Sequence, residues 1–229
     1  MLISPLIAGL VFFTVPDGAP AQRGPVVVEM FTSQGCPACP DANVLLGEIA
    51  GRHDVIAIAY GVGHMDAFGW ADTYARPEFG DRQKAYVAAG EASRVFTPHF
   101  VINGGPERVR RSEIDDHLDA AEPLAAIARI EHEDEELSIR ITGPQRETPA
   151  EVWLVSYEPG PSLVAIDSGR NAGLEITHHN MAVSIHRLDD WAGGAYEART
   201  EAPGEGLGSV LLVQASEGGP LLAAARAEP

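Results

Sequence analysis

The 229 residues contain only two cysteines, and they stand as Cys36-Pro37-Ala38-Cys39 directly after an apolar run, Val26-Val27-Val28-Glu29-Met30-Phe31. The β-branched run reads as a strand. After the cysteines, Val44, Leu45 and Ile49 recur at helical spacing and Gly51 follows as a stop. The pair therefore lies where a strand hands the chain to a helix. A helix's first turn presents N–H groups without intrahelical partners, and these favour a thiolate over a thiol. Cys36, read as the N-cap, is the candidate nucleophile, and Cys39, one turn inside, is the candidate resolving thiol. Gly35 lets the chain turn sharply, and Pro37 suits a first helical position, where its missing N–H costs nothing. Pro40 deletes the first helical hydrogen bond, so the pattern predicts a kink or a start shifted by a residue.

Further along, Asp54 to Tyr60 is a short apolar run that reads as a second buried strand, parallel to the first because a helix joins them. A helix is expected past Pro77, carrying Phe79, Tyr86 and Val87 and stopping at Gly90. Thr97-Pro98 opens a strand over His99 to Ile102, and Asn103-Gly104 is a hairpin turn leading to Glu107 and the residues up to Arg110. Ser112-x-x-Asp115 caps a helix running to about Ala121.

The order βαβαββα over residues 25–123 is that of a minimal α/β thioredoxin-like domain. In such folds the residue that begins the third strand is usually a cis-proline beside the redox helix, so a cis bond is expected at Thr97-Pro98. From Leu124 the pattern changes to strand-like runs separated by Gly and Pro: Ala126 to Ile130, Glu136 to Ile141, Glu151 to Tyr157 and Ser209 to Gln214. These predict a small β-sandwich-like all-β domain over 124–229, with the acidic stretch Glu131 to Glu136 as a solvated hairpin turn.

A hydrophobic content of 45% with 21% charged residues describes an ordinary globular chain. The formal net charge of −17 opposes binding to nucleic acid or to anionic membranes, where Lys and Arg must supply the attraction. Residues 2–15 form an apolar stretch too short to span a bilayer, and Ala19-Pro20-Ala21 resembles a small-residue cleavage site. Residues 1–21 are therefore expected to be a signal peptide that sends the mature chain to the periplasm or outside the cell. A buried N-terminal strand is the alternative. In an exported protein the pair could also be a structural disulfide, but a bridge across a two-residue gap restrains little of the unfolded chain.

The run Val28 to Pro40 with Leu45-Leu46 closely resembles a bacterial secreted thioredoxin-like family catalogued as domain-of-unknown-function 1223. Gly69-Trp70, Arg82-Gln83 with Tyr86, Thr97-Pro98, Gly169 to Gly173, Thr177-His178-His179-Asn180 and Leu212 to Gln214 are similar to the family's other motifs. The resemblance implies a thioredoxin-like domain fused to a β-rich domain, with no established substrate. Where the family commonly carries His-Val-Asp after the second strand, this chain reads Gly61-Val62-Gly63 and then His64-Met65-Asp66, so that pair is either missing or displaced to His64 and Asp66. Adjacent His178 and His179 on an extended segment point to opposite faces, so one of them at most lines a given site. On the functional reading, one of the two joins Asn180 and the 169–173 loop in a pocket at the redox site, with His64, Asp66 and Trp70 as further candidates. On the structural reading, Asn171 and Asn180 hold a buried loop through backbone hydrogen bonds.

The leading expectation is an exported thiol-disulfide oxidoreductase. It needs no cofactor, its partners are protein or small-molecule thiols and disulfides, and a membrane redox partner reloads the pair. Thr97, Pro98, Gly35 and Pro37 support the two cysteines. One alternative is a soft-metal or metallochaperone module in which His64 or His178 adds nitrogen to the two thiolates, although no second C-x-x-C is present. Another is a non-catalytic binding protein in which the thiols are idle.

Overall fold

The computed structural model describes residues 24–90, 92–108 and 111–229. The expected signal peptide, its cleavage near Ala21 and the alternative N-terminal strand lie outside the described residues. β1 (Val26–Thr32), α1 (Cys39–Ala50), β2 (Val55–Gly61), α2 (Pro77–Ala88), β3 (His99–Ile102), β4 (Glu107–Arg108) and α3 (Arg111–Ala120) follow in the expected order, with a short 3-10 segment, Gly63–Phe68, after β2. β1 and β2 pair in parallel from Val26↔Val55 to Thr32↔Gly61, and β3 runs antiparallel to β1. Asn103 and Gly104 both adopt positive φ at the centre of a turn closed by Gly105 N–H to Ile102 O at 2.9 Å, within a four-residue connection from β3 to β4.

The second half supplies β5 (Ile127–Glu133), β6 (Glu136–Gly143), β7 (Ala150–Ala165), β8 (Glu175–Trp191), β9 (Gly194–Glu201), β10 (Gly208–Ala215) and β11 (Leu221–Ala227). Four of these strands extend the first sheet. The result is an eight-stranded mixed sheet in the order β11-β10-β7-β8-β2-β1-β3-β4, beside a three-stranded antiparallel sheet, β5-β6-β9. The join is β2 with β8, which pair in parallel at Ala59↔Met181. β2 is buried along its whole length, so both of its edges need hydrogen-bonding partners, and the second edge finds them in β8 at Met181, in the Asn180 side chain on Ala57 O and in the bridge Gly61↔Ala75. The sandwich-like packing expected for 124–229 is thus built across a shared sheet. Leu137, Ile139 and Ile141 of the small sheet face Val152, Leu154, Leu211 and Val213 of the large one.

The helices cover the other strands from both sides. Ala42, Leu46 and Ile49 of α1, with Ile114 and Leu118 of α3, pack on Val28, Met30, Ala57 and Ala59. Phe79 and Tyr86 of α2 pack on the opposite face with Val27, Phe31, Ile56, Ile58 and Tyr60. Each of the larger aliphatic and aromatic side chains among them contributes roughly 1.5–3 kcal/mol. Glu29 breaks the apolar run of β1, and it too is buried, with 0% exposure. Arg82 of α2 meets it in a bidentate pair, Nε to Oε1 at 2.5 Å and Nη2 to Oε2 at 2.9 Å, and the Tyr86 hydroxyl donates to the same carboxylate. Arg82 Nη1 continues to Gln214 Oε1 at 3.0 Å, tying α2 to β10 as well as to β1. Arg82, Tyr86 and Gln214, singled out above as motif residues, are thus accounted for by the joining of α2 to the sheet.

One local expectation is corrected. Cys36 is not the helix N-cap, because α1 begins at Cys39 with Ala38 preceding it. Pro40 cannot donate an amide hydrogen, so Cys36 to Cys39 close a separate turn, Cys39 N–H to Cys36 O at 3.1 Å, before regular helix starts. The segment 175–191, read only as extended around its histidines, is a 17-residue strand interrupted by irregular pairing near Gly160 and Asn180.

Candidate functional site

The end of β1 and the start of α1 bring Cys36 and Cys39 together as free thiols in a sheath that leaves Cys36 2% and Cys39 0% exposed. Cys36 N–H bonds to Ser33 O at 3.0 Å. Gly35 lies under Met65, whose Cβ would stand 3.0 Å from any Cβ placed there, so a side chain would press Met65 outward. Pro37 and Ala38 face solvent. On the far side the Thr97-Pro98 bond is cis, and the Thr97 carbonyl lies 3.5 Å from Cys36 Sγ, close enough to accept its thiol hydrogen.

The two thiols are driven apart in acidity. The Cys36 pKa is lowered to about 6, first by the hydrogen bond that the Cys39 thiol donates to it, while burial opposes the shift. The Thr97 side chain and the backbone of Ala38 and Cys39 lower it further. The Thr97 hydroxyl is buried and has no hydrogen-bond partner among the described residues. Cys39 moves the opposite way. Burial raises its pKa most, followed by its hydrogen bond to Cys36 and the charge there, and the Ser33 backbone and Thr32 hydroxyl only partly offset this. Such a pair offers a thiolate at neutral pH and keeps the second sulfur protonated until the first has reacted.

Gln34, which carried no role in the sequence reading, organises the loop before Cys36. Its backbone N–H bonds to Asp72 Oδ2 at 2.6 Å, and its side-chain oxygen accepts Trp70 Nε1–H at 2.8 Å and Thr73 N–H at 3.1 Å. Trp70 is therefore part of the site through its indole nitrogen. Burial raises the Asp72 pKa, against the backbone N–H groups of Gln34 and Tyr74 that favour the carboxylate. The signal available in the sequence was a polar residue retained between an apolar strand and the cysteine turn.

The second half reaches the cysteines through Asn171. Its Nδ2 donates to Gln34 O at 2.7 Å and to Cys36 O at 2.9 Å. Around it, Ser168 Oγ donates to Gly69 O at 2.6 Å and the Arg170 guanidinium lies 3.6 Å from the Phe68 ring centroid. His178 and His179 do diverge. His178 is buried with Nδ1 3.2 Å from Asn43 Oδ1, whereas half-buried His179 packs against Gly47, where any side chain would collide with its ring. Asn180 is structural: at φ 49° it donates to Ala57 O at 2.9 Å and accepts Gly160 N–H at 3.0 Å, bracing the irregular pairing of β7 with β8.

His64 and Asp66 are not placed as a pair at the sulfur. His64 Nε2 bonds to Gln83 Oε1 at 2.7 Å, while Asp66 Oδ1 accepts Asp72 N–H at 3.1 Å. Gln83 Nε2 donates to Phe96 O and to His99 Nδ1, so the Gln83 oxygen must accept from His64. His64 nevertheless lines a groove with Met65, Arg94, Val95, Phe96 and Thr97. Glycine at 61 has a steric cause, since a Cβ there would lie 2.7 Å from Tyr74 C, whereas at 63 the nearest atom is the movable end of a side chain, Asp66 Oδ2 at 2.8 Å. His99 turns inward, stacking on Phe31 at 5.5 Å. No group of three His, Cys, Asp or Glu side chains that could hold a metal occurs among the described residues.

Comparison with known proteins gives two matches. The model of a family described as protein of unknown function (DUF1223) matches residues 27–214. The chain is also similar to the crystal structure of protein AGR_C_4864 from Agrobacterium tumefaciens, at 25% identity and a TM-score of 0.76, covering 90% of this chain and 95% of that one. No curated protein matches.

Proposed function

Since the chain belongs to the DUF1223 family, whose description assigns no activity, we propose from its own site geometry that it is a thioredoxin-like thiol-disulfide oxidoreductase. The observation that carries this reading is the placement of two free thiols at the junction of β1 and α1 with the Thr97 carbonyl 3.5 Å from Cys36 Sγ, where Cys36 is lowered to about 6 while Cys39 is raised. Disulfide exchange uses that asymmetry directly. The element order from β1 to α3, with Thr97 at the sulfur, supports the thioredoxin-like assignment.

Cys36 as thiolate attacks one sulfur of a substrate disulfide, expelling one thiolate and forming a mixed disulfide. Cys39 then attacks Cys36 Sγ, the intramolecular disulfide closes, and the second substrate thiol departs. The groove lined by His64, Met65, Arg94, Val95, Phe96 and Thr97 is the substrate path in this reading, because its Thr97 carbonyl lies 3.5 Å from Cys36 Sγ. Protein or small-molecule disulfides are the substrate class, the protein acts after export, and a membrane redox partner restores the pair.

The test joins two measurements on the mature protein. Alkylation of Cys36 should follow a pH profile with its midpoint near 6, since the thiolate is the reacting form. Titration against glutathione buffers should give a reversible intramolecular disulfide; a potential near about −120 mV marks an oxidant and one near about −270 mV a reductant. A pair that does not close reversibly, or an alkylation midpoint in the range of an ordinary thiol, removes the proposal.

A further inference from the structure

His178 and Asn43 come from opposite halves of the chain and meet in the core beneath α1. The orientation of the Asn43 amide is set by its neighbours. Its Nδ2 faces two acceptors, Cys39 O at 2.9 Å and Thr32 Oγ1 at 3.2 Å. Both amide hydrogens are thereby used, so the Asn43 Oδ1 that lies 3.2 Å from His178 Nδ1 can only accept. The imidazole hydrogen is therefore on Nδ1. The opposite nitrogen, Nε2, is buried with no partner among the described residues.

Thr32 Oγ1 receives a hydrogen from Asn43, which leaves the hydroxyl's own hydrogen to be given elsewhere. Thr32 ends β1 next to the first turn of α1, where one amide nitrogen, Asn43 Nδ2, reaches both its hydroxyl and Cys39 O, and its hydroxyl is among the groups that ease ionisation of that thiol. Cys39 is fully buried, so its thiolate has little water to stabilise it.

We propose that His178, Asn43 and Thr32 form a directed chain of hydrogen-bond donors that aims the Thr32 hydroxyl hydrogen at Cys39 Sγ during resolution of the mixed disulfide. In this chain Thr32 is the group that acts on the reacting sulfur, and Asn43 and His178 are positioning residues. This rests on the thiol-disulfide reading. In the step concerned, Cys39 gives up its proton and its sulfur lone pair attacks Cys36 Sγ. The Cys39–Cys36 bond forms, the bond from Cys36 to the substrate sulfur breaks, and the substrate leaves as a thiolate that can take up the released proton. Over both steps two electrons pass from the cysteine pair to the substrate disulfide. Thr32 keeps its proton throughout and acts by holding the thiolate.

An aromatic disulfide, 5,5′-dithiobis(2-nitrobenzoate), separates the two steps in a stopped-flow measurement. One coloured thiolate is released when Cys36 attacks, and a second when Cys39 resolves. In Thr32→Val and His178→Leu the second release should slow roughly tenfold or more, the worth of a hydrogen bond to a charged group, and its pH profile should move upward. The first release should keep its rate, which also shows that the variant is folded. Thr32→Ser retains a hydroxyl, and His178→Asn retains a donor near the Nδ1 position; both should stay near the unaltered rate. A second release unchanged in Thr32→Val, or slowed equally in Thr32→Ser, overturns the proposal. Should His178→Leu not fold, the nearly isosteric Thr32→Val decides alone. Absence of both releases in the unaltered protein would instead remove the oxidoreductase reading on which the proposal stands.

Discussion

Acidification should destabilise this fold through His178. Burial lowers its pKa from 6.5 to about 4, with the charge of neighbouring His179 adding to the effect. The folded state thus refuses a proton that the unfolded chain accepts. Between these values the unfolded state binds more protons, so stability rises with pH: the contribution is fully present above 6.5 and is lost as pH falls toward 4. The gap is worth about 3 kcal/mol over the whole window, and about 2 kcal/mol of it is lost between about pH 7 and about pH 5. Urea unfolding of the unaltered protein and of His178→Asn across that interval isolates this group, because Asp72 and other titrating groups enter both curves alike. The unaltered protein should lose about 2 kcal/mol more than the variant. Parallel curves would show that His178 is neither buried nor neutral in the way described.

Two further outcomes concern the polar joints of the fold. Arg82→Leu strands the buried Glu29 carboxylate and should cost about 3–5 kcal/mol in denaturant unfolding, whereas adding Glu29→Gln to it should recover part of that loss. Asn171→Ala removes two hydrogen bonds to the cysteine turn and should lower stability by about 1–3 kcal/mol; Asn171→Asp, which offers only acceptors to two carbonyl oxygens, should cost more.

Elements were legible where side-chain period and turn chemistry agreed. β1, α1, β2 and the Asn103-Gly104 hairpin follow from apolar runs bounded by Gly or Pro. β11 was hidden because Leu-Leu-Ala-Ala-Ala-Arg-Ala favours helix by intrinsic preference, and it becomes a strand only because β10 offers it an edge. β9 alternates between half-buried and exposed with little more than alanine and tyrosine on its inner face, too weak a pattern to read. At the site, the cysteines, Gly35, Thr97 and Pro98 could be named because the chemistry needs those types at those places. Asn171 and His178 could not be assigned partners, since each bonds to a residue 135 positions away and only the pairing of β8 with β2 brings them there.

That pairing bears on how such a chain can be cut and recombined. The first 123 residues carry both thiols and a complete order of strands and helices, and they look transplantable. Excised, they would leave β2 with a bare row of backbone donors and acceptors along an apolar strand, an invitation to aggregate. They would also arrive without the side chains that hold Cys36 O and Asn43 from the other side. A graft that keeps the chemistry intact must therefore carry β8 and the 169–173 loop with it, so the smallest exchangeable unit here is discontinuous in sequence.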